Sequence, residues 1–433
     1  MNVHLVIQLA RFGDVIQTKR LIRGLLADPG NQVHLAVDAG LVELSEMIYP
    51  DVVVHGLPVH DPRSEPATLI RACAEIFSAW KAADVARVYN LNHSGFNHVL
   101  AGLFAPEQVV GYQWNQGQAL RGSWPETVFR LSAHRSANPL NLMDYWGFFL
   151  GQTQGLAQGL TQGVVLDPAL VNPPATPKGG GLGVVLAGRH ARRTLPVPIL
   201  ARVIQAAAAR IEGKILLLGT AAEREAARAL RPLLPAAIQG RLKDLTGRTG
   251  WTGLRDVVQG LDLLLTPDTG TMHLAAHLGA PVTAFFLSSA WAFETGPYGE
   301  GHQVWQSVEP CAPCLEAAPC PRSAVCAQAF ADKAVLARLA RSAHSVQSAQ
   351  SAGPERSNHP DPPESLCLLR TGLDDFGLEF HPLAGELPDQ EARAARRELL
   401  RSHRLRIGPR RIRLEQTAAE ALYHEPDWMI DTP

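Results

Sequence analysis

The chain's 433 residues, 46% of them hydrophobic and 19% charged, suffice for at least two ordinary cores, because domains usually hold about 100–200 residues. Forty Lys and Arg against 41 Asp and Glu, a net charge of -1, leave no global field for a phosphate backbone or an acidic membrane to select, which argues against nucleic acid as a partner. No stretch approaches the roughly 18–20 uninterrupted apolar residues of a membrane span, and residues 1–7 lack the basic start of a signal peptide. The expectation is a cytoplasmic protein, at most peripheral to a membrane, for instance at the inner face of the cell membrane.

Short aliphatic runs alternate with helical patterns from the start: strand 3–9, helix 14–26, strand 33–37, helix 41–48, strand 52–54, helix 67–81 and strand 85–90. That is the rhythm of βαβ units on a parallel sheet. An irregular stretch holding Trp114, Trp124, Trp146 and Phe148 follows and reads as core or lobe interface. Residues 152–181 turn to Gly, Gln, Pro and Thr, and 172–178 can continue neither helix nor sheet, as expected of an interdomain linker.

A second block then begins: strand 183–186, helix 198–210, strand 214–218, helix 221–230, a helix opening near Gly253, strand 261–265, helix 271–278 and strand 282–286. Two such blocks in tandem predict an α/β chain of two Rossmann-like lobes facing a cleft, residues 1–165 and 179–343. Past the helix 332–342, residues 344–363 have the composition of a disordered linker. Residues 364–433 are expected to form a small extension with an Arg-rich helix over 389–404 and a strand-like run at 409–414. That extension reads as a solvated face or docking tail.

In the first lobe, strand 3–9 ends in a turn with Gly13, and Asp14 stands at the start of a helix. Asp14 either caps that helix or presents a carboxylate at the C-terminal end of a parallel strand, where open α/β sheets bind ligands. In the second lobe, strand 261–265 runs through Pro267 into Asp268-Thr269-Gly270-Thr271-Met272-His273. Such a turn aims backbone N–H groups and the positive end of a helix at an anion. Gly270 allows close approach of a phosphate, Thr269 and Thr271 offer hydroxyls, and a diphosphate would be held without a metal or other cofactor. The alternative makes Asp268 and Thr269 ordinary caps and His273 a packed core residue.

The basic loop 188–196 contains Arg193, whose guanidinium could neutralise phosphate or lie in a solvated turn. A Walker pattern is absent, and Gly181-Leu182-Gly183 precedes a strand where a dinucleotide fingerprint should follow one. Four of six cysteines, Cys311, Cys314, Cys320 and Cys326, are spaced Cys-x2-Cys-x5-Cys-x5-Cys. They suggest packed thiols ahead of a structural metal site, because the later spacings are looser than paired Cys-x2-Cys.

Taken together, Gly13-Asp14-Val15, Asp268-Thr269-Gly270-Thr271-Met272-His273, Gly296-Pro297-Tyr298-Gly299 and the segment Leu218–Glu223 resemble glycosyltransferase family 9, the ADP-heptose:lipopolysaccharide heptosyltransferase family, over roughly residues 1–330. The resemblance implies the GT-B fold and an inverting, metal-independent transfer with Asp14 as catalytic base. It also implies donor contacts from Gly13, Arg193, Glu223 and Asp268 through His273. The implied partners are a nucleoside-diphosphate sugar, ADP-heptose or similar, and a saccharide or glycolipid acceptor such as lipopolysaccharide core. Arg193 stands where the family usually has Lys. The rival readings are a nucleotide-sugar epimerase or hydrolase, and a non-catalytic GT-B-like docking protein.

Overall fold

A computed structural model describes the chain except residues 60–64, 116–117, 133, 152–164, 187, 189–190, 316–317, 321, 348–359, 404–411 and 414–433. The chain divides into two compact units, one of Met1–Asp167 with the stretch from Ala394 onward, the other of Pro168–Arg393. Residues 152–164 of the stretch 152–181 expected as the first linker, and 348–359 of the second linker expected at 344–363, lie outside the described residues.

Unit 1 is built on β1 (Asn2–Ile7), β2 (Asn31–Asp38), β3 (Val53–Leu57), β4 (Val85–Asn90), β5 (Val109–Asn115) and β6 (Gln118–Arg121). The central strands are near-continuous aliphatic runs because helices cover both faces of a parallel sheet, leaving no wet side for polar alternation. Leu5, Val6 and Ile7 of β1 are all fully buried, each contributing about 1.5–3 kcal/mol by leaving water. β1 pairs in parallel with β2 and β4, β2 with β3, and β4 with β5. β6 turns back antiparallel on β5. The helix expected over 14–26 is two pieces, Phe12–Gln17 and Lys19–Leu26.

Unit 2 carries β7 (Leu182–Val185), β8 (Ile215–Leu218), β9 (Leu242–Asp244), β10 (Leu263–Pro267), β11 (Val282–Phe286), β12 (Gln303–Ser307), β13 (Leu366–Leu373) and β14 (Leu378–Ala384), in the spatial order β14-β13-β12-β11-β10-β7-β8-β9. All neighbours are parallel except β13 on β12 and β14 on β13. The helix Val197–Ala208 packs Ile199, Val203, Ile204 and Ala207 into a core shared with Leu182, Leu217, Leu265, Trp305 and Phe330.

The extension expected as a separate appendix is divided between the units. Residues 366–384 form the hairpin β13–β14 that extends the second sheet, because Leu366, Cys367, Leu368 and Leu369 are an apolar run that needs burial. The Arg-rich helix is Gln390–His403. Of the strand-like run expected at 409–414, the described residues are Ile412 and Arg413, which form β15, antiparallel to β6 at the edge of the first sheet.

The glycines of the pseudo-fingerprint have packing reasons. Gly181 has φ +91°, and a Cβ there would stand 2.2 Å from the Lys214 carbonyl; at Gly183 it would strike the side chains of Leu261 and Leu264. Both positions serve close strand packing, not a phosphate.

Candidate functional site

In unit 2 the strand order reverses between β7 and β10: β8 lies beyond β7 and β11 beyond β10. The crevice at the C-terminal ends of two such strands is where open α/β sheets bind ligands. Arg193 comes from the short turn Ala191–Arg193 that follows β7, and Asp268 from the residue after β10. Their side chains form an ion pair through Arg193 Nη2 and Asp268 Oδ2, with only 11% and 7% of each exposed. The same oxygen accepts from Thr295 Oγ1 at 2.9 Å, a partner that sequence reading missed although it immediately precedes Gly296-Pro297. His273 Nε2 lies 3.9 Å from Asp268 Oδ1.

Asp268 is therefore not a helix cap. Thr269 is the N-cap residue of the helix Gly270–His277, and no side chain caps that end. The Thr269 hydroxyl is engaged with Thr266 Oγ1 at 3.0 Å. Within the first turn, the N–H groups of Met272 and His273 donate to the Thr269 carbonyl at 3.0 and 3.4 Å. The Met272 side chain is fully buried. The N–H groups of Gly270 and Thr271 have no acceptor among the described residues, an arrangement suited to an anion. His273 is buried, and that burial lowers its pKa from 6.5 to about 4 despite the opposing pull of Asp268. It is a neutral imidazole near pH 7.

Glu223 sits in the turn after β8, the strand beside β7. Its Oε2 accepts from Thr220 N–H and Thr220 Oγ1, both at 2.7 Å, while Thr220 Oγ1 accepts from Ala222 N–H at 3.2 Å. This is a capping box, the local alternative for an acid in a first helical turn.

In unit 1, Gly13 and Asp14 open the helix Phe12–Gln17 directly after β1. Asp14 is half-buried, and its Oδ2 accepts from Arg11 N–H at 3.1 Å. Its backbone carbonyl accepts from Thr18 Oγ1 at 2.9 Å. The bond from Arg11 is a capping contact of one oxygen of this carboxylate, in the helix that follows β1.

The four clustered cysteines line one hollow of about 260 Å³, together with Arg192 and the Arg322–Glu309 ion pair. Cys311 is exposed, Cys314 and Cys320 are half-buried, and Cys326 is buried. Ser288 Oγ lies 3.1 Å from Cys314 Sγ, and Ala324 N–H donates to Cys320 Sγ at 3.3 Å. Among the described residues no three His, Cys, Asp or Glu side chains are grouped to hold a metal ion. Nor is any helix of the described residues long and apolar enough to cross a membrane.

Residues 200–322 match the family model for glycosyltransferase family 9 (heptosyltransferase). Among solved structures, a glycosyl transferase family 9 protein of Veillonella parvula is 15% identical over 81% of this chain and 98% of its own, with a TM-score of 0.56. The E. coli ADP-heptose lps heptosyltransferase II is 16% identical over 76% of this chain and 98% of its own, with a TM-score of 0.47. The E. coli heptosyltransferase WaaC with ADP is 20% identical over 69% and 91%, with a TM-score of 0.49. Curated proteins give no match. At these identities the likeness to solved structures is one of fold. The segment 200–322, which holds Glu223 and the whole turn from Asp268 to His273, is a glycosyltransferase family 9 segment, and the chain that carries it is a glycosyltransferase built on two Rossmann-like units of the GT-B kind.

Proposed function

We propose that this chain transfers a sugar, with inversion and without a metal, from a nucleoside-diphosphate sugar of the ADP-heptose type to a hydroxyl of a saccharide or glycolipid such as lipopolysaccharide core, at the cytoplasmic face of a membrane. The observation that carries the reading is the switch point of unit 2. An uncapped helix start offers two N–H donors, and Asp268 and Thr295 hold Arg193 in the same crevice. The departing diphosphate gains negative charge in the transition state. Fixed N–H dipoles and a pre-positioned guanidinium stabilise that change more than they stabilise the ground state.

In this reading Asp14 takes the proton of the acceptor hydroxyl while its oxygen attacks the anomeric carbon from the face opposite the diphosphate. The bond from that carbon to the diphosphate oxygen breaks, and the nucleoside diphosphate leaves with the electron pair. A carboxylate of ordinary basicity serves, because proton transfer can come late. The Arg11 N–H bonded to Asp14 orients the carboxylate.

The test is Asp14→Asn, which keeps an oxygen to accept from Arg11. Stabilisation by ADP, which reports binding to the native state, is expected to persist. Acceptor-dependent release of ADP from ADP-heptose is expected to fall by about 10²–10⁴, the usual contribution of a general base. Undiminished release in the variant, or the absence of ADP stabilisation in the parent protein, overturns the reading.

A further inference from the structure

Thr295, whose hydroxyl donates to Asp268, closes the one-turn helix Ala292–Thr295. A single turn does not hold itself, because helix nucleation is unfavourable, so its neighbours decide where that hydroxyl stands. From β12, Gln306 Oε1 accepts from Ala292 N–H at 2.9 Å.

Further grips come from residues beyond 365. The Phe293 ring meets that of Phe380 in β14, with centroids 4.9 Å apart, and the Arg393 guanidinium, 3.9 Å from the Phe293 centroid. Arg393 is buried in the first turn of the helix Gln390–His403, and its Nη2 donates to the Pro388 carbonyl at 2.7 Å. Gly296 follows Thr295, and a Cβ there would stand 2.5 Å from Phe380 Cζ, so the glycine lets the ring close onto the turn. Farther along the same loop, Gly301 N–H donates to the Thr371 carbonyl at 3.1 Å and His302 N–H to Thr371 Oγ1 at 2.9 Å. Thr371 and Phe380 are register partners across the hairpin β13–β14. One rung of that hairpin therefore touches the loop 292–302 at both of its ends.

We propose that Phe380 and Arg393 are positioning residues of the unit 2 crevice: through Phe293 they fix the turn that presents Thr295 to Asp268, and thereby the Arg193–Asp268 pair. The consequence for a nucleoside-diphosphate donor rests on the transferase reading. A carboxylate bonded to a fixed hydroxyl keeps its guanidinium partner in one place, and a charge fixed in advance loses least to reorganisation when the diphosphate departs. The hairpin and the helix after it, which the sequence suggests as a separate extension, are then a working part of the site.

The experiment uses the full chain. Phe380→Leu keeps apolar bulk and removes the ring, and Arg393→Met keeps length and removes the cation. Amide hydrogen exchange of peptides spanning 290–298, read by mass spectrometry, reports the turn, and titration with ADP reports the crevice. Each variant is expected to speed exchange of the turn, with exchange in β10 and β11 unchanged. Each is also expected to weaken ADP binding and raise the KM for ADP-heptose by about 3–10-fold, the size of one aromatic or cation–π contact. In a Thr295→Val background, where the link to Asp268 is already cut, Phe380→Leu should cost ADP binding nothing further. Where Phe380→Leu does not fold, Arg393→Met in the same two backgrounds carries the test.

Unchanged exchange of the turn overturns the proposal. Faster exchange with ADP affinity and KM unchanged also overturns it, since both side chains would then serve stability alone, and so does a full further loss of ADP affinity in the Thr295→Val background. Failure of the parent protein to bind ADP sinks the transferase reading. The clamp on the turn is then decided by exchange, which upholds it where both variants speed the turn.

Discussion

Replacing Asp268 by Asn removes a charge and little else, since the amide keeps an oxygen for Thr295. The Arg193 guanidinium, 11% exposed, is then a buried cation without its carboxylate. Breaking a buried pair from one side costs about 3–5 kcal/mol, well above the few tenths lost at an exposed pair. At roughly 2–4 °C per kcal/mol for a body of 150–250 residues, the transition of unit 2 should fall by roughly 6–20 °C in differential scanning calorimetry. Removing both charges together, as Arg193→Met with Asp268→Leu, should restore stability to the parent level or above, because apolar replacement of a buried pair is often neutral or favourable. The double variant should nonetheless lose its stabilisation by ADP. A cost below about 1 kcal/mol for Asp268→Asn, or single-variant losses that simply add in the double, would refute the view that this pair is a buried, coupled element of the crevice.

Two further outcomes follow from the protonation states. The pKa of His273 is about 4, below its ordinary 6.5, so its contribution to stability is complete above pH 6.5 and is lost as the pH falls toward 4. His273→Asn should therefore flatten the acid side of a stability profile by up to about 1.4 kcal/mol per pH unit in that window, measured by urea unfolding; an unchanged slope would show that His273 has the same pKa folded and unfolded. Among the thiols, backbone N–H donors from Ala324 and Arg322 lower the pKa of Cys320, while burial raises Cys326, and raises Cys367 to about 12. Timed alkylation with iodoacetamide, read by peptide mass spectrometry, should modify Cys320 before either of those; the reverse order would contradict the assignment.

The central strands were legible because each must be apolar on both faces: β4 at 85–90 and β11 at 282–286 were read to the residue. β9, only Leu242–Asp244 with a half-buried pattern, has too few residues for any period to emerge. β13 and β14 escaped because their apolar run follows a stretch of linker composition, and only the unfilled edge of β12 explains where it goes. At the site, the motif from Asp268 to His273 was visible as a turn feeding a helix, but its capping alternative was not separable from an ion pair whose members are 75 residues apart.

Among the described residues, the strands at one edge of each sheet follow all the others of that sheet in the chain. β13 and β14 lie beyond β12 in one unit, and β15 lies beyond β6 in the other. Roughly sixty residues separate the end of β12 from the start of β13, and at a synthesis rate of about 5–20 residues per second that is several seconds during which the Val304–Trp305 backbone edge is out of the ribosome and uncovered. An uncovered apolar edge is a template for pairing with another chain. The nascent protein is thus exposed to misassembly in the interval between the emergence of β12 and that of β13, when most of the second sheet already exists, and truncations near residue 360 should yield aggregates.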